Sequence, residues 1–281
     1  MKVFSWNELD SLSEFVHSSG KKTALTIGGF DGPHIGHKAL LDAVLSKKDF
    51  IKGVVTFRFT DEFVRKKTER GGGKNFSGTI STIFQKKQIF ESLGFDFCLI
   101  IDFSQDFSKI KGIDFLKMLR ESCSMQFLTV GSDFRCGYNL DTGVAEISVY
   151  AKQFGLEFFV CNQILHDGMK VSSSTLRSLV REARFSEVNE LLVSPFALDV
   201  QDFEWKSFTV QNDNSSVFNG LEVANSSCLQ ILPKNGVYKV KVTSADKADA
   251  FESLLYVEST FLRLEVPLEH GFVKPCKIIF I

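Results

Sequence analysis

"TALTIGGFDGPHIGHKALLDAVLSKK", residues 23–48, decides how this chain reads. A short β-type apolar run ends in glycines, and a turn follows. Leu40, Leu41, Val44 and Leu45 then recur on one helical face. Strand, glycine turn and helix together form a geometry in which backbone N–H groups converge on an anion and the helix dipole favours negative charge. Gly28, Gly29 and Gly32 permit a tight turn and a close backbone approach to a ligand, with Phe30 and Asp31 carried between them. Pro33 suits the opening helical turn, where a missing N–H costs nothing. His34 and His37, three apart, project from one face of that turn. Their imidazoles can donate to phosphate oxygens, with a charge adjustable near neutral pH, and Gly36 between them leaves room for a phosphate chain. A histidine pair at this spacing could also bind a metal, but no third ligand of fitting spacing lies nearby, so no protein-held metal is expected.

The same alternation continues outward. "KGVVTFRF", "FDFCLIID", "MQFLTVGSDF" and "LEFFVCNQI" read as strands. "STIFQKKQIFESLG", with Ile83, Lys87 and Phe90 on one side, "IDFLKMLRESC", "EISVYAKQFG", "SSSTLRSLVREA" and "FSEVNELLVS" read as helices. Strands alternating with helices at this spacing imply an α/β fold, a Rossmann-like doubly wound parallel sheet. Ligands of such sheets sit beyond the carboxyl ends of the strands, where the glycine stretch falls. After "SPFALDV" the texture changes to β-type segments, "SFTVQ", "LQILP", "GVYKVKV", "LLYVES", "FLRLEVPL" and "CKIIFI", between turn-rich stretches. The expected organisation is an α/β domain over 1–197 and a small antiparallel β-barrel over 198–281.

Bulk properties narrow the function. The 281 residues carry 33 basic and 34 acidic side chains, a balance that gives no reason to expect a nucleic-acid partner. No run approaches the ~20 apolar residues of a membrane span, and the first residues lack a cationic, apolar leader pattern. The six cysteines are scattered without C-x-x-C spacing and read as reduced thiols of a cytoplasmic protein. "VRKKTERGGGKNFSG" (64–78) reads as a solvated, mobile loop, with a basic lid closing over phosphates as the alternative. Its "GGGK" is not a phosphate loop, since Asn75 follows Lys74 and no apolar helix begins there.

Further motifs stand in order behind the first. "VGSDFRCG" (130–137) puts Asp133 and Phe134 just past a strand end. "DGMKVSSSTLRSLV" (167–180) sets Ser173, Ser174 and Thr175 ahead of Arg177. Alone, a hydroxyl run before a helix is a cap; with an arginine one turn in, it can also form an anion site. Together with G-x-F-D-G-x-H-x-G-H, this series resembles the His-x-Gly-His nucleotidyltransferases. Within them it is similar to the FMN adenylyltransferase module of bacterial bifunctional riboflavin kinase/FAD synthetases.

The resemblance implies that the chain joins AMP from ATP to FMN, with Mg²⁺, giving FAD and pyrophosphate. It assigns the triphosphate to His34 and His37, the nucleotide to Gly28–Gly32, and the phosphates at the second anion site to Ser173, Ser174 and Arg177. Asp133 and Phe134 fall on the flavin side. No protein, nucleic-acid or membrane partner is implied. Cys136 stands where the family has a second Phe, and Thr175 where it has an Arg. Beyond residue 200 only the entry Pro233–Tyr238 resembles the kinase half, and its Pro-Thr-Ala-Asn element is absent, so a degenerate barrel without riboflavin kinase activity is expected. A still bifunctional enzyme, adenylyl transfer to another phosphorylated acceptor, and a weakly active flavin- or nucleotide-binding protein remain as alternatives.

Overall fold

The computed structural model describes residues 1–58, 78–102, 107–211, 217–244, 250–267 and 273–281. The loop expected over 64–78 lies outside the described residues except for Gly78, and "GGGK" lies outside them entirely. The chain forms two compact units, each drawing on two stretches: Met1–Phe63 with Lys86–Val171, and Val64–Gln85 with Ser172–Ile281.

The first unit is built on β1 (Lys2–Ser5), β2 (Thr23–Gly28), β3 (Ile51–Arg58), β4 (Phe97–Asp102) and β5 (Met125–Gly131). Two short paired strands follow, β6 (Arg135–Cys136) and β7 (Thr142–Gly143), then β8 (Glu157–Cys161) and a small hairpin of β9 (Leu165–His166) with β10 (Met169–Lys170). Six strands form one parallel sheet in the order β1-β4-β3-β2-β5-β8. Burial is nearly continuous along β2, β3, β4 and β5, as a sheet covered on both faces requires, with successive side chains pointing to opposite faces. Leu25, Ile27, Val55, Phe97, Leu99, Leu128 and Val130 pack with Leu12 and Val16 of helix Leu9–Ser18, Phe115 and Leu119 of helix Gly112–Cys123, and Ile147 of helix Val144–Phe154. Ala24, Val54, Cys98 and Phe127 pack on the other face with Leu41 and Val44 of helix Ile35–Leu45 and with Phe90 of helix Ile83–Ser92. The strand order reverses at β2: β3 and β4 lie to one side of it and β5 and β8 to the other. That reversal opens a crevice at the carboxyl ends of β2 and β5.

The second unit contains the helices Ser173–Arg181 and Phe185–Leu191 and a seven-stranded antiparallel sheet. Its strands are β11 (Ala197–Asp199), β12 (Lys206–Gln211), β13 (Val217–Ala224), β14 (Gly236–Ser244), β15 (Phe251–Val257), β16 (Phe261–Val266) and β17 (Pro275–Phe280), in the order β11-β17-β14-β15-β16-β13-β12. The expected strand at "LQILP" is not one: Gln230 makes only an isolated bridge, parallel, to Thr79. The reason is its side chain, which is 3 % exposed and donates to the carbonyls of Ile80 and Ala197 and to Gln85 Oε1, while its oxygen accepts from Asp199 N–H. Gln85 in turn donates to Ala197 O and accepts from Thr82 N–H. The segment is occupied by this amide network rather than by a ladder.

All six cysteines are free, and Cys98, Cys123, Cys136 and Cys161 are buried. Burial pushes the thiols of Cys98, Cys123 and Cys136 up to about 12, so none of these three is a thiolate near neutrality. Among the described residues no helix is long and apolar enough to cross a membrane.

Two variants test the amide network. Gln230→Leu leaves several buried polar groups unpaired and is expected to cost about 2–4 kcal/mol, read from urea unfolding. A chain ending after residue 197 loses Asp199 and Gln230 together and should be at least as destabilised.

Candidate active site

The turn after β2 carries the opening motif into the crevice. Phe30 is left-handed at φ +46° and Gly32 at φ +63°. The Phe30 ring is 1 % exposed and packs edge-on against Phe90 (ring centroids 5.6 Å apart) and His37 (5.1 Å). A Cβ on Gly28 would meet that ring at 3.0 Å, so glycine there makes space for Phe30. Among the described residues, a Cβ on Gly29 would meet nothing within 4 Å. Asp31 is buried.

His34 is not within the opening turn of the helix but caps it. Its backbone is extended, and its Nδ1 accepts from the His37 N–H at 3.3 Å. Pro33 accordingly stands one residue ahead of the cap, and the helix spans Ile35–Leu45. An accepting Nδ1 leaves Nε2 to carry the ring proton of a neutral His34. The two imidazoles stack, with centroids 3.7 Å apart and planes 21° apart. A Cβ on Gly36 would stand 3.0 Å from the His34 ring, so this glycine makes room for an imidazole.

Burial lowers the His34 pKa to about 4. His37 is pushed well below 6.5, first by burial, then by the charges of His34 and Lys86, against an opposing hydrogen bond with the Gly32 backbone. The pair is therefore neutral near pH 7 in the free protein, so each ring is a hydrogen-bond donor rather than a cation. The His37 Nδ1 is buried and has no hydrogen-bond partner among the described residues.

The carboxyl end of β5 supplies the neighbouring loop. Asp133 is exposed and pairs with Lys170 Nζ at 3.0 Å and Gln163 Nε2 at 3.3 Å. Phe134 packs, half-buried, against the core. Beyond it, Arg135, Cys136, Gly137, Tyr138, Asn139 and Leu140 line a cavity of about 450 Å³, closed by Phe57, Phe107, Ser108, Ile110 and Phe115. This is the size and the mainly apolar, partly aromatic lining of a small-molecule pocket. The sequence reading found only its rim, because the other walls come from the end of β3 and from 107–115, segments joined by folding alone.

The remaining expected residues lie in the second unit. Ser172 caps helix Ser173–Arg181, accepting from Thr175 N–H at 3.2 Å, which puts Ser173 and Ser174 in its first turn. Arg177 is buried, and its Nε donates to the Gly78 carbonyl at 2.9 Å. Lys86 was missed altogether. The sequence put Lys87 on one side of the helix with Ile83 and Phe90, whereas Lys86 is the buried lysine, its ammonium 2.7 Å from the Gly29 carbonyl.

A glycine turn, a capping histidine and a second imidazole at the reversal point of a doubly wound sheet define a nucleotide-handling α/β enzyme. A sequence profile described as FAD synthetase matches residues 16–175, more than half of the chain. The chain belongs to the FAD synthetase family: it is an enzyme that makes FAD by nucleotidyl transfer, and FMN and ATP fit as its substrates. Among its relatives is the bifunctional riboflavin kinase/FMN adenylyltransferase of Buchnera aphidicola from Schizaphis graminum, 26% identical over 226 residues, 79% of this chain and 69% of that protein. The protein of the same name from Escherichia coli K12 is 25% identical over 78% of this chain and 67% of its own length. The Listeria monocytogenes FAD synthetase is 24% identical over 64% of this chain and 72% of its own. In fold, the chain is similar to a structure described as a macrolide-efflux protein from Streptococcus pneumoniae, with a TM-score of 0.69, 16% identity and 92% of both chains covered.

The depressed His34 pKa has a consequence for stability. The unfolded chain takes up this proton near 6.5 and the folded chain only near 4. Stability from this group is thus unaffected above 6.5 and falls as the pH drops from 6.5 towards 4, by roughly 3 kcal/mol in all. Urea midpoints measured across that range should fall more steeply for the wild type than for His34→Asn, which keeps a capping side chain without the titration.

Proposed function

We propose that the turn Gly28–Gly32, with Phe30 and Asp31, and the imidazoles of His34 and His37 hold the triphosphate of Mg–ATP, and that FMN places its ring system in the aromatic cavity. The observation that carries this reading is the neutral, stacked histidine pair at the mouth of helix Ile35–Leu45, where the helix dipole and first-turn amides also favour an anion. An approaching triphosphate raises the pKa of both rings, so they gain positive character as they engage it. Mg²⁺ would arrive on the triphosphate, as a hard ion that keeps phosphate and water ligands.

In this reading an oxygen of the FMN phosphate attacks the α-phosphorus in line. The new P–O bond forms as the bond to the β-phosphate bridging oxygen breaks, and pyrophosphate leaves with that electron pair. The attacking phosphate needs no base, and no covalent intermediate with the protein is required. Catalysis is placement plus stabilisation of charge on the transferring group. Ser173, Ser174 and Arg177 are assigned to the departing pyrophosphate; capping by Ser172 and the Gly78 anchor on Nε support this by fixing the helix end and the guanidinium plane. Asp133 and Phe134 are assigned to the flavin side, supported by their position directly ahead of the cavity wall Arg135–Leu140.

Residues 198–281 are assigned a role other than riboflavin phosphorylation, on the ground that the Pro-Thr-Ala-Asn element is absent from the sequence. The division at 197/198 into a catalytic domain and this barrel belongs to the same proposal, as does a cytoplasmic location, which the free thiols support.

His37→Ala should lower kcat by about 10²–10³ while circular dichroism stays at wild type. Wild-type turnover in that variant removes the histidine role. Chromatography of products from ATP with FMN, and separately with riboflavin, should show FAD in the first mixture and no FMN in the second; FMN formed from riboflavin would restore the bifunctional reading.

A further inference from the structure

Helix Ile83–Ser92 turns a lysine into the interior of the first unit. Lys86 is 4 % exposed, and its Nζ donates to the carbonyl oxygens of Gly29 at 2.7 Å and Phe57 at 3.1 Å. Thr56 Oγ1 stands at 3.5 Å from it and itself donates to Gly29 O at 3.2 Å. Burial lowers the lysine's pKa, and the charge of Asp31 acts against that. An ammonium away from water costs several kcal/mol relative to an apolar side chain of similar volume, so core packing alone does not account for it.

Its two carbonyl partners belong to different parts of the site. Gly29 belongs to the glycine turn, whereas Phe57 lies near the end of β3 and forms a wall of the cavity. One ammonium therefore joins the loop facing one substrate to the wall facing the other. It also orients the turn. In a trans peptide C=O and N–H point opposite ways, so holding the Gly29 carbonyl towards Lys86 turns the Phe30 N–H away from it. A carbonyl released into the cleft would face the phosphates with the wrong charge.

We infer that Lys86 is a positioning residue that locks the glycine turn to the cavity wall and so sets the separation of FMN's phosphate from the α-phosphorus of ATP. This rests on the substrate placement proposed above. In-line attack requires reacting atoms about 3–3.5 Å apart, and a displacement of about 1 Å costs on the order of 10² in rate. The signature is accordingly in kcat, not in the binding of either substrate.

The test uses the full chain with Lys86→Met and Lys86→Arg, assayed for FAD formation with FMN and Mg–ATP varied separately and corrected for folded fraction. Lys86→Met is expected to lose about 100-fold in kcat with both KM values within about fivefold of wild type. Lys86→Arg, which can still donate to two carbonyls, should recover about tenfold of that loss. A kcat within threefold of wild type, or a loss confined to KM, overturns the inference, even if the melting temperature falls. Should Lys86→Met fail to fold, Thr56→Val removes the shared hydroxyl at equal volume. It should lower kcat by about three- to tenfold at unchanged KM; an unchanged kcat overturns the inference. The two readings fail separately. An active Lys86→Met beside an inactive His37→Ala removes the lysine role and leaves the phosphate cradle standing, whereas wild-type activity in both removes the cradle itself.

Discussion

A left-handed phenylalanine has to be held in place for anything at the sheet's mouth to work. An L-residue in that conformation costs about 1–2 kcal/mol, and Phe30 adopts it between two glycines that would otherwise leave the turn free to rearrange. The ring holds it there. Fully burying a Phe side chain contributes roughly 1.5–3 kcal/mol, enough to offset the backbone strain, and the bare Cα of Gly28 makes the ring's seat possible. The next restraint is His34, whose Nδ1 satisfies a first-turn amide and so fixes where the helix begins. Sequence order thus becomes shape: glycine for the ring, ring for the turn, imidazole for the helix end.

The electrostatics of the same place follow from burial. Two imidazoles packed face to face cannot both be protonated cheaply, and a lysine ammonium close by adds to the penalty. The free site is consequently held with neutral rings, a helix N-terminus and one buried cation. A negative charge placed there would add an attraction opposing the burial and the Lys86 charge that keep the histidines neutral. The aromatic cavity next to it differs in kind. Its walls include Phe57, Phe107, Phe115 and Tyr138 and present mainly apolar surface.

Much of this was legible in the chain. Apolar strand-type runs alternating with helical patterns placed the parallel sheet, and the glycine–histidine stretch marked the end of its central strand. What escaped was tertiary in origin. Lys86 and Lys87 are neighbours on one helix, and only packing decides which of them faces inward. Gln230 sits in an apolar run that reads as a strand until its amide partners, Ile80, Gln85, Ala197 and Asp199, are brought around it. β13 was hidden because Asn219-Gly220 is a turn signal in isolation; in the sheet a Cβ on Gly220 would overlap the Phe208 ring from the adjacent strand. Gly36 was read as room for a phosphate chain; folding also brings the His34 ring against it, which the spacing alone did not show.

The central claim is that the stacked histidines are neutral in the free enzyme and take hold of ATP's phosphates. The most direct test is nitrogen-15 NMR of the imidazoles, titrated with pH in the presence and absence of α,β-methylene ATP and Mg²⁺. The account predicts a free-state pKa for His37 well below 6.5 that rises when the nucleotide binds, with the ring nitrogen signals of both histidines displaced. Identical titration curves for both rings with and without bound nucleotide would contradict it.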